Sequence, residues 1–179
     1  MSQTSHAAVS TNLRIWNVLH RVRVPFDLGG WLFSRAVQFR APYFRTIKPR
    51  VVSLRPGYCE VAAANKRRVH NHLGTFHAIA ACNMAELAAG LMTDATVPST
   101  HRWIPAGMTV RYLAKATTDL RAYAEIPTTP LFTNAAQTLE VPVKIFDGNQ
   151  IEVVAADITM HISPKRRTGN IDQSNHARG

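Results

Sequence analysis

Residues Val69 to Thr93 read VHNHLGTFHAIAACNMAELAAGLMT and contain the segment on which the architecture depends. From Thr75 onward, alanine, leucine and methionine dominate and no proline interrupts, which predicts one long helix. Between Arg68 and Asp94, Glu86 is the only Asp, Glu, Lys or Arg, so this helix has no charged face. We therefore expect protein to surround the helix on most sides.

Glu86 is consequently a carboxylate in a mostly apolar environment, one helical turn after Cys82 and Asn83. Burying a carboxylate without a partner is costly, and proteins accept that cost most often where the group has a chemical function. We therefore take Glu86 as the first candidate catalytic residue. The alternative is an ion pair with a buried arginine or histidine. Cys82 is interpreted as a small core residue rather than a nucleophile.

Strand signals lie on both sides of the helix. Before it, two apolar segments flank Arg55-Pro56-Gly57, which has the composition of a turn. After it, apolar residues recur with a period of two, and Asp147-Gly148 is a strong hairpin signal. Pro142 suggests an edge position or a bulge for its strand. The predicted strands cover residues 51–54, 58–64, 108–115, 120–126, 139–145 and 151–162.

The order of elements is a strand pair, one long apolar helix, and then four strands in hairpin succession. An antiparallel sheet can bury one face on a single helix while its other face meets solvent or a partner. The predicted fold class is α+β, with a curved antiparallel sheet wrapped around one long apolar helix, which is the geometry of a hotdog fold. We assign this hotdog domain to residues 48–163.

An N-terminal helical arm, residues 1–47, is predicted before the hotdog domain. Its first helix covers 12–24 and is ended by Pro25, and its second helix covers 31–40. The arm is expected to pack its apolar side on the parent domain or on a second subunit. Residues 164–179 are polar and basic and are predicted to form a disordered tail.

At 179 residues, 46% of them apolar, the chain has the size and composition of one globular domain. No apolar run approaches the roughly 20 residues of a membrane span, and the polar N-terminus lacks an apolar signal core. The two cysteines, Cys59 and Cys82, form neither a disulfide framework nor a metal motif. These features predict a reduced, cytoplasmic protein.

The net charge of +10 lies at the two ends of the chain. Residues 1–50 carry +7 and residues 164–179 carry +3, whereas residues 51–163 hold nine basic and nine acidic residues. Basic ends attract nucleic acid or anionic lipid, but no nucleic-acid motif accompanies them. We expect no nucleic-acid partner and favour simple solvation of the ends. Contact of the basic arm with a membrane surface is a disfavoured alternative.

The loop and helix around His77 carry a pattern with fixed spacing. An asparagine lies six residues before this histidine, and an acidic residue lies nine residues after it. The pattern resembles the signature of hotdog-fold acyl-CoA thioesterases, particularly the phenylacetate-degradation type and its less characterised relatives, in which His-Gly-Gly follows an asparagine and a glycine. Residues 108–120 also resemble the strand and turn that follow in that family. The motif positions are Asn71, Gly74, His77, Ala78, Ile79 and Glu86.

The resemblance implies hydrolysis of an acyl-CoA or another acyl thioester, without a cofactor or a metal. Glu86 would act as general base or as nucleophile, and the backbone N–H of Ala78 would polarise the thioester carbonyl. Asn71 would orient the water or the carbonyl, whereas His77 would fix the loop through hydrogen bonds. The family's sites lie between subunits, which implies a homodimer or a homotetramer. Substrate contacts are expected at Gly74, Ile79 and Asn83.

Departures from the family pattern leave alternatives open. Ala78 and Ile79 replace the two glycines, and Ile79 adds bulk where an acyl chain or a pantetheine arm would pass. The alternative function is therefore a non-catalytic hotdog module that binds acyl-CoA or a fatty acyl ligand. Asn71 has the alternative role of a turn residue. A metal site among the three histidines of residues 70–77 is disfavoured because no acid or cysteine has a matching spacing.

Overall fold

An antiparallel sheet of six strands packs against one central helix. The computed structural model describes residues 10–21 and 28–165. Its helices are α1 (Thr11–Arg21), α2 (Leu28–Arg40) and α3 (Ala78–Thr96). Its strands are β1 (Arg50–Arg55), β2 (Tyr58–Ala63), β3 (His101–Tyr112), β4 (Leu120–Glu125), β5 (Gln137–Asp147) and β6 (Glu152–Pro164). Short 3-10 helices cover Pro42–Thr46 and Arg67–Val69.

The sheet has the strand order β1-β2-β4-β5-β6-β3, and every neighbouring pair is antiparallel. The helix α3 contacts all six strands, and 12 of its 19 residues are buried. Met84, Ala88 and Met92 have no exposed surface. Burying a methionine side chain in this way contributes about 1.5–3 kcal/mol to folding. The predicted α+β architecture, with one apolar helix against an antiparallel sheet, is confirmed.

The helix α3 begins at Ala78, three residues later than the sequence pattern predicts. The preceding loop is closed by a β-bridge between His70 and Phe76. The backbone N–H of His77 also donates to the carbonyl of Val69 at 2.7 Å. These bonds hold the chain extended as far as His77, so helical geometry starts only after it.

The strand β3 begins at His101, well before the alternating pattern that starts at Met108. Its register with β6 shifts between Pro105 and Gly107, and these two residues interrupt the sequence signal. The strand lies at the edge of the sheet, and most of its residues are exposed. In its first half only His101 and Trp103 are covered, and this stretch is too short before Pro105 to give a clear alternating pattern.

Pro142 lies in β5, between β4 and β6, so the predicted edge position is wrong. The register shift of β5 falls between Ile145 and Phe146 rather than at the proline. Pairing of β5 with β4 extends only to Val143, opposite Ala124. The missing N–H of Pro142 therefore breaks no bond with β4, although the residue still lies opposite Asp157 of β6.

The helices α1 and α2 pack against each other, and both contact the sheet-and-helix body. Gly29 permits this close approach, because a Cβ there would lie 2.6 Å from the carbonyl oxygen of Leu19. Trp16 stacks on His20 and meets the edge of Phe33, which is almost fully buried. The arm thus packs its apolar side on the parent domain, one of the two expected arrangements.

Two hydrogen bonds join α2 to the start of the sheet. The hydroxyl of Ser34 accepts from the backbone N–H of Val51 at 2.8 Å, and Gln38 Nε2 donates to the carbonyl of Pro49 at 3.0 Å. Both side chains are buried. The arm is therefore tied to the sheet at the point where the sequence predicts a domain boundary, and that boundary stays a prediction.

Parts of two predictions lie outside the described residues. The first predicted helix is seen to Arg21, and its last residues, 22–24, belong to the segment that the structure does not describe. The predicted C-terminal tail is described only at residues 164 and 165, where the backbone N–H of Lys165 donates to the carbonyl of Thr100 at 2.8 Å. Among the described helices, none is long and apolar enough to cross a membrane.

Candidate active site

Asn71 holds the loop before α3 in a tight turn. Its Oδ1 accepts hydrogen bonds from the backbone N–H groups of Leu73 at 2.9 Å and Thr75 at 3.2 Å. Its Nδ2 donates to the hydroxyl of Thr75 at 2.9 Å. Gly74 completes the turn with a φ of +75°, which favours glycine. The structure therefore gives Asn71 and Gly74 conformational roles, and substrate contact by either stays a prediction.

His77 is the N-cap of α3. Its Nδ1 accepts a hydrogen bond from the backbone N–H of Ile79 at 3.0 Å, and its carbonyl accepts from Ala81 at 3.1 Å. Within the described residues, no hydrogen bond occupies the backbone N–H of Ala78. This amide lies in the first turn, where helix geometry leaves N–H groups unpaired and the helix dipole favours negative charge. It is available as an oxyanion donor.

Glu86 lies about two turns further along α3 and is half-buried. Within the described part of the chain, its carboxylate has neither a hydrogen-bond donor nor an ion-pair partner. The alternative of an ion pair with a buried cation is therefore not realised there. Asn83, one turn earlier, is 9% exposed, and its side-chain amide likewise lacks a partner among these residues. No described residue therefore occupies either group.

A partly exposed stripe runs along the first half of α3. Ile79 is 53% exposed, and Cys82 and Glu86 follow it at helical spacing. The sulfur of Cys82 shares a hydrogen bond with the hydroxyl of Tyr112 on β3, at 3.3 Å. This bond raises the pKa of the Tyr112 phenol above its ordinary value. Cys82 is thus half-buried at the boundary of α3 and β3 rather than in the core.

Glu86 opens into a groove of about 490 Å³ between the N-terminal arm and α3. Most of its wall is apolar. The main apolar residues are Ile15, Phe33, Val37, Phe39, Phe44, Leu87, Leu91 and Trp103. A concave apolar site with a few polar groups is the usual form of a small-molecule binding site.

Sequence reasoning missed the far end of this groove. Asp94 lies eight residues after Glu86, and both line the groove. The Asp94 carboxylate accepts hydrogen bonds from Asn12 Nδ2 at 3.0 Å and from Trp103 Nε1 at 3.4 Å. These bonds join α1, α3 and β3. The spacing of Glu86, Gly90 and Asp94 indicates a shared helix face, but no sequence signal identifies the arm as its cover.

The described residues contain no group of three or more His, Cys, Asp or Glu side chains that could hold a metal ion. Two histidines of the loop have other partners. His70 Nε2 donates to Asn65 Oδ1 at 2.9 Å, and His77 Nδ1 accepts the cap bond described above.

The sheet and its central helix have the fold of solved proteins described as thioesterases, which confirms the predicted hotdog architecture. PA5026 of Pseudomonas aeruginosa, a protein of unknown function described as a probable thioesterase, is 19% identical. The match covers 79% of this chain and 97% of that one, with a TM-score of 0.67. A variant of the thioesterase SAV0944 of Staphylococcus aureus is 17% identical over 69% and 99% of the two chains, with a TM-score of 0.60. Both similarities concern the fold.

A much nearer relative is the structural-genomics protein APC5556, which is 46% identical. The match covers 86% of this chain and 99% of that one, with a TM-score of 0.73. The profile of the family described as "Domain of unknown function (DUF4442)" matches residues 29–162, and the chain belongs to this family. No curated protein matches the chain significantly.

Proposed function

We propose that this protein is a cytoplasmic hydrolase of acyl-CoA or related acyl thioesters that works as a homo-oligomer without a cofactor. Glu86 is the general base or the nucleophile, and the backbone N–H of Ala78 is the oxyanion donor. His77 orients that amide by capping α3. Asn71 and Gly74 shape the loop, while Ile79 and Asn83 border the substrate.

One observation carries the proposal: the Glu86 carboxylate is half-buried, lacks a partner among the described residues, and opens into a mostly apolar groove. A structural carboxylate in such surroundings is normally paired. An unpaired one beside a cavity fits a group that acts on a ligand.

The reaction requires an attack on the thioester carbonyl and a leaving thiolate. As general base, Glu86 takes a proton from water while the water oxygen attacks the carbonyl carbon. The carbonyl oxygen gains negative charge, which the Ala78 N–H stabilises. The C–S bond then breaks, and the proton on Glu86 passes to the departing sulfur. As nucleophile, the carboxylate would attack directly and form an anhydride that water hydrolyses, so both routes release a carboxylic acid and a thiol.

Helix geometry supports a site shared by two chains. Ala78 and Glu86 are eight residues apart, or about 12 Å along the axis of α3. One thioester group cannot contact the Ala78 amide and the Glu86 carboxylate of the same helix. A two-fold dimer with antiparallel α3 helices would instead bring Ala78 of one protomer close to Glu86 of its partner.

The free edge of β3 is a suitable surface for such a dimer. Among the strands of the described residues, β3 pairs only with β6. Ile104, Met108 and Tyr112 are 60%, 38% and 55% exposed along it. A long edge strand with exposed apolar side chains favours pairing with another strand. Pairing of β3 with the β3 of a second copy would cover these residues and the neighbouring Ile79.

The test is an acyl-CoA hydrolysis screen with purified protein beside Glu86→Gln and Glu86→Ala. We expect each variant to keep the wild-type circular dichroism spectrum and to lose at least about 100-fold in kcat. Glu125→Gln is the matched control, because Glu125 is an exposed acid at the end of β4. Hydrolysis by Glu86→Gln at the wild-type rate would refute the assigned mechanism.

The second candidate function is a non-catalytic module that binds an acyl thioester. It is favoured by Ile79, whose exposed side chain lies beside the Ala78 amide at a position where related thioesterases have glycine. Measurable acyl-CoA binding together with no hydrolysis across the screen would support this module over the enzyme.

A further inference from the structure

We propose that the groove beneath the N-terminal arm binds the acyl chain of the substrate and selects straight fatty acyl groups of about eight to ten carbons. The inference rests on the proposed function, because it assumes that the thioester carbon lies at Glu86. It adds a substrate class and assigns the arm a role in specificity.

The groove has the chemistry of an acyl site. Among the described residues that line it, the ionisable side chains are Arg40 on α2 and the first and last lining residues of α3, Glu86 and Asp94. The wall between the ends is formed by aliphatic and aromatic side chains of the arm, α3 and β3. A pantetheine arm would leave its two amides without partners against this wall, whereas an alkyl chain needs none. The apolar part of the ligand therefore fits here best.

Gly90 gives the Trp103 indole room to pack against α3. It lies one turn after Glu86, and a Cβ at this position would be 3.2 Å from the ring of Trp103. The indole therefore lies directly over the backbone of α3 and forms a flat wall. A chain that starts at Glu86 would therefore pass Gly90 along this indole wall.

The hydrogen-bonded group of Asn12, Asp94 and Trp103 closes the far end. Beyond it, a second cavity is lined by Arg14, Arg102 and Lys165, which is unsuitable for an alkyl chain. Asn12, Asp94 and Trp103 line both cavities and so form the wall between them. An acyl chain would have to break polar contacts to extend further.

The distance between the two ends sets the chain length. Glu86 and Asp94 are eight residues apart on α3, or about 12 Å along the helix axis. An extended chain advances roughly 1.2 Å per bond, so about ten bonds fill the space. Each buried methylene increases the affinity about fourfold. The affinity for the acyl chain should therefore rise with its length up to about ten bonds and not beyond.

The first experiment measures kcat/KM for straight acyl-CoAs from C4 to C16. We expect wild type to peak at C8 to C10. Ala36 lines the groove from an exposed position on α2, so Ala36→Phe should fill the cavity without disturbing the core. The ratio of C10 to C4 activity should fall about 100-fold or more in this variant. The control is Ala136→Phe, in an exposed loop before β5, which should keep the wild-type profile.

Binding separates this inference from the proposed function. Alkyl-CoA thioethers, which cannot be hydrolysed, are titrated into wild type and Ala36→Phe by calorimetry. Affinity that rises with chain length to about C10 and falls in Ala36→Phe supports the acyl site even if no thioester is hydrolysed. Hydrolysis with a flat wild-type profile, or with a profile that Ala36→Phe leaves unchanged, overturns the acyl site and leaves the thioesterase proposal standing.

Discussion

The imidazole Nδ1 of His77 accepts a hydrogen bond from the backbone N–H of Ile79 at 3.0 Å. This bond satisfies the second amide of α3 and leaves the first one, at Ala78, free of protein partners within the described residues. It requires a neutral ring with an unprotonated Nδ1. The histidine of the motif is thus a cap that orients an amide, and its placement does not require it to transfer protons.

The first prediction concerns this cap. His77→Ala should destabilise the protein by about 1 kcal/mol, as loss of a helix N-cap normally does. His77→Asn should recover most of that stability, because an asparagine oxygen also accepts from the first turn. Urea denaturation measures the stability of both variants. His72→Ala, at an exposed position of the same loop, is the control. If His77 transferred protons instead, His77→Asn would be stable but inactive, whereas a cap role predicts that it hydrolyses thioesters.

The second prediction concerns the turn at Asn71. Asn71→Ala removes three hydrogen bonds of the loop, so we expect a loss of about 1–3 kcal/mol in stability and a parallel loss of activity. Thr75→Val removes only the side-chain partner of Asn71. We expect it to reduce stability and activity less than Asn71→Ala does. A role of Asn71 in direct substrate contact predicts the opposite pattern, in which Asn71→Ala abolishes turnover and Thr75→Val leaves it intact.

The sequence was most informative where one environment extends over many residues. The apolar run of α3 from Ala78 to Thr93 has a single charge, and its burial against six strands follows directly from that composition. The hairpin at Asp147-Gly148 was likewise evident, since turn chemistry is local. The start of β3 was missed because the strand is exposed and interrupted by Pro105 and Gly107. Alternation in a sequence records burial, and an edge strand with most of its residues exposed has little of it.

The candidate site was only partly accessible from the sequence. Motif spacing indicated the loop, His77 and Glu86, which are close together along the chain, whereas the role of His77 as the cap of α3 was not predicted. The groove depends on how α1 and α2 pack across α3, and that arrangement is specified by long-range contacts such as Gly29 with Leu19. The pairing of Asn12 with Asp94 joins residues 82 positions apart, which no local pattern encodes.

A third prediction tests that long-range pairing. Asp94→Ala removes the acceptor for both Asn12 and Trp103, so α1 should separate more readily from α3. We expect amide hydrogen exchange in residues 11–21 to become at least about tenfold faster, equivalent to roughly 1.4 kcal/mol of local stability. Asp157→Ala, at an exposed position of β6, is the control and should leave the protection of α1 unchanged.

The fourth prediction separates the two thiols. Burial raises the pKa of the Cys59 thiol well above its ordinary value of 9.0, with a smaller contribution from the charge of Glu60. In the native protein a maleimide should therefore modify Cys82 and spare Cys59, and Cys82→Ser should abolish the fast labelling. Equal labelling of both thiols without denaturant would contradict the buried position.

The same shift has a consequence for stability. A thiol with a raised pKa in the folded state keeps its proton after the unfolded chain has lost it. Above pH 9 the free energy of unfolding therefore falls, by up to about 1.4 kcal/mol per pH unit. Cys59→Ala should show a shallower decline of stability between pH 9 and pH 10.5 than wild type in chemical denaturation. Parallel curves would show that Cys59 does not contribute to the pH dependence.

The last prediction tests whether the site is shared by two chains. Ala78→Pro removes the backbone N–H proposed as oxyanion donor, at the first helical position, where proline is well tolerated. The preceding residue, His77, has the extended conformation that a following proline requires, with φ of −68° and ψ of 134°. We therefore expect a folded protein whose kcat is reduced about 100-fold to 1,000-fold.

Ala78→Pro and Glu86→Gln should then complement each other when mixed. In a heterodimer, one site combines the intact Ala78 amide of one protomer with the intact Glu86 of its partner, while the other site has neither group. If subunits exchange freely in an equal mixture, half of the dimers are mixed and one site in each is active, so activity should recover to about a quarter of wild type. Sites built within single chains would give no recovery, because each protomer then lacks one essential group. Ile104→Lys, which adds charge to the exposed edge of β3, should abolish the recovery by preventing dimer formation.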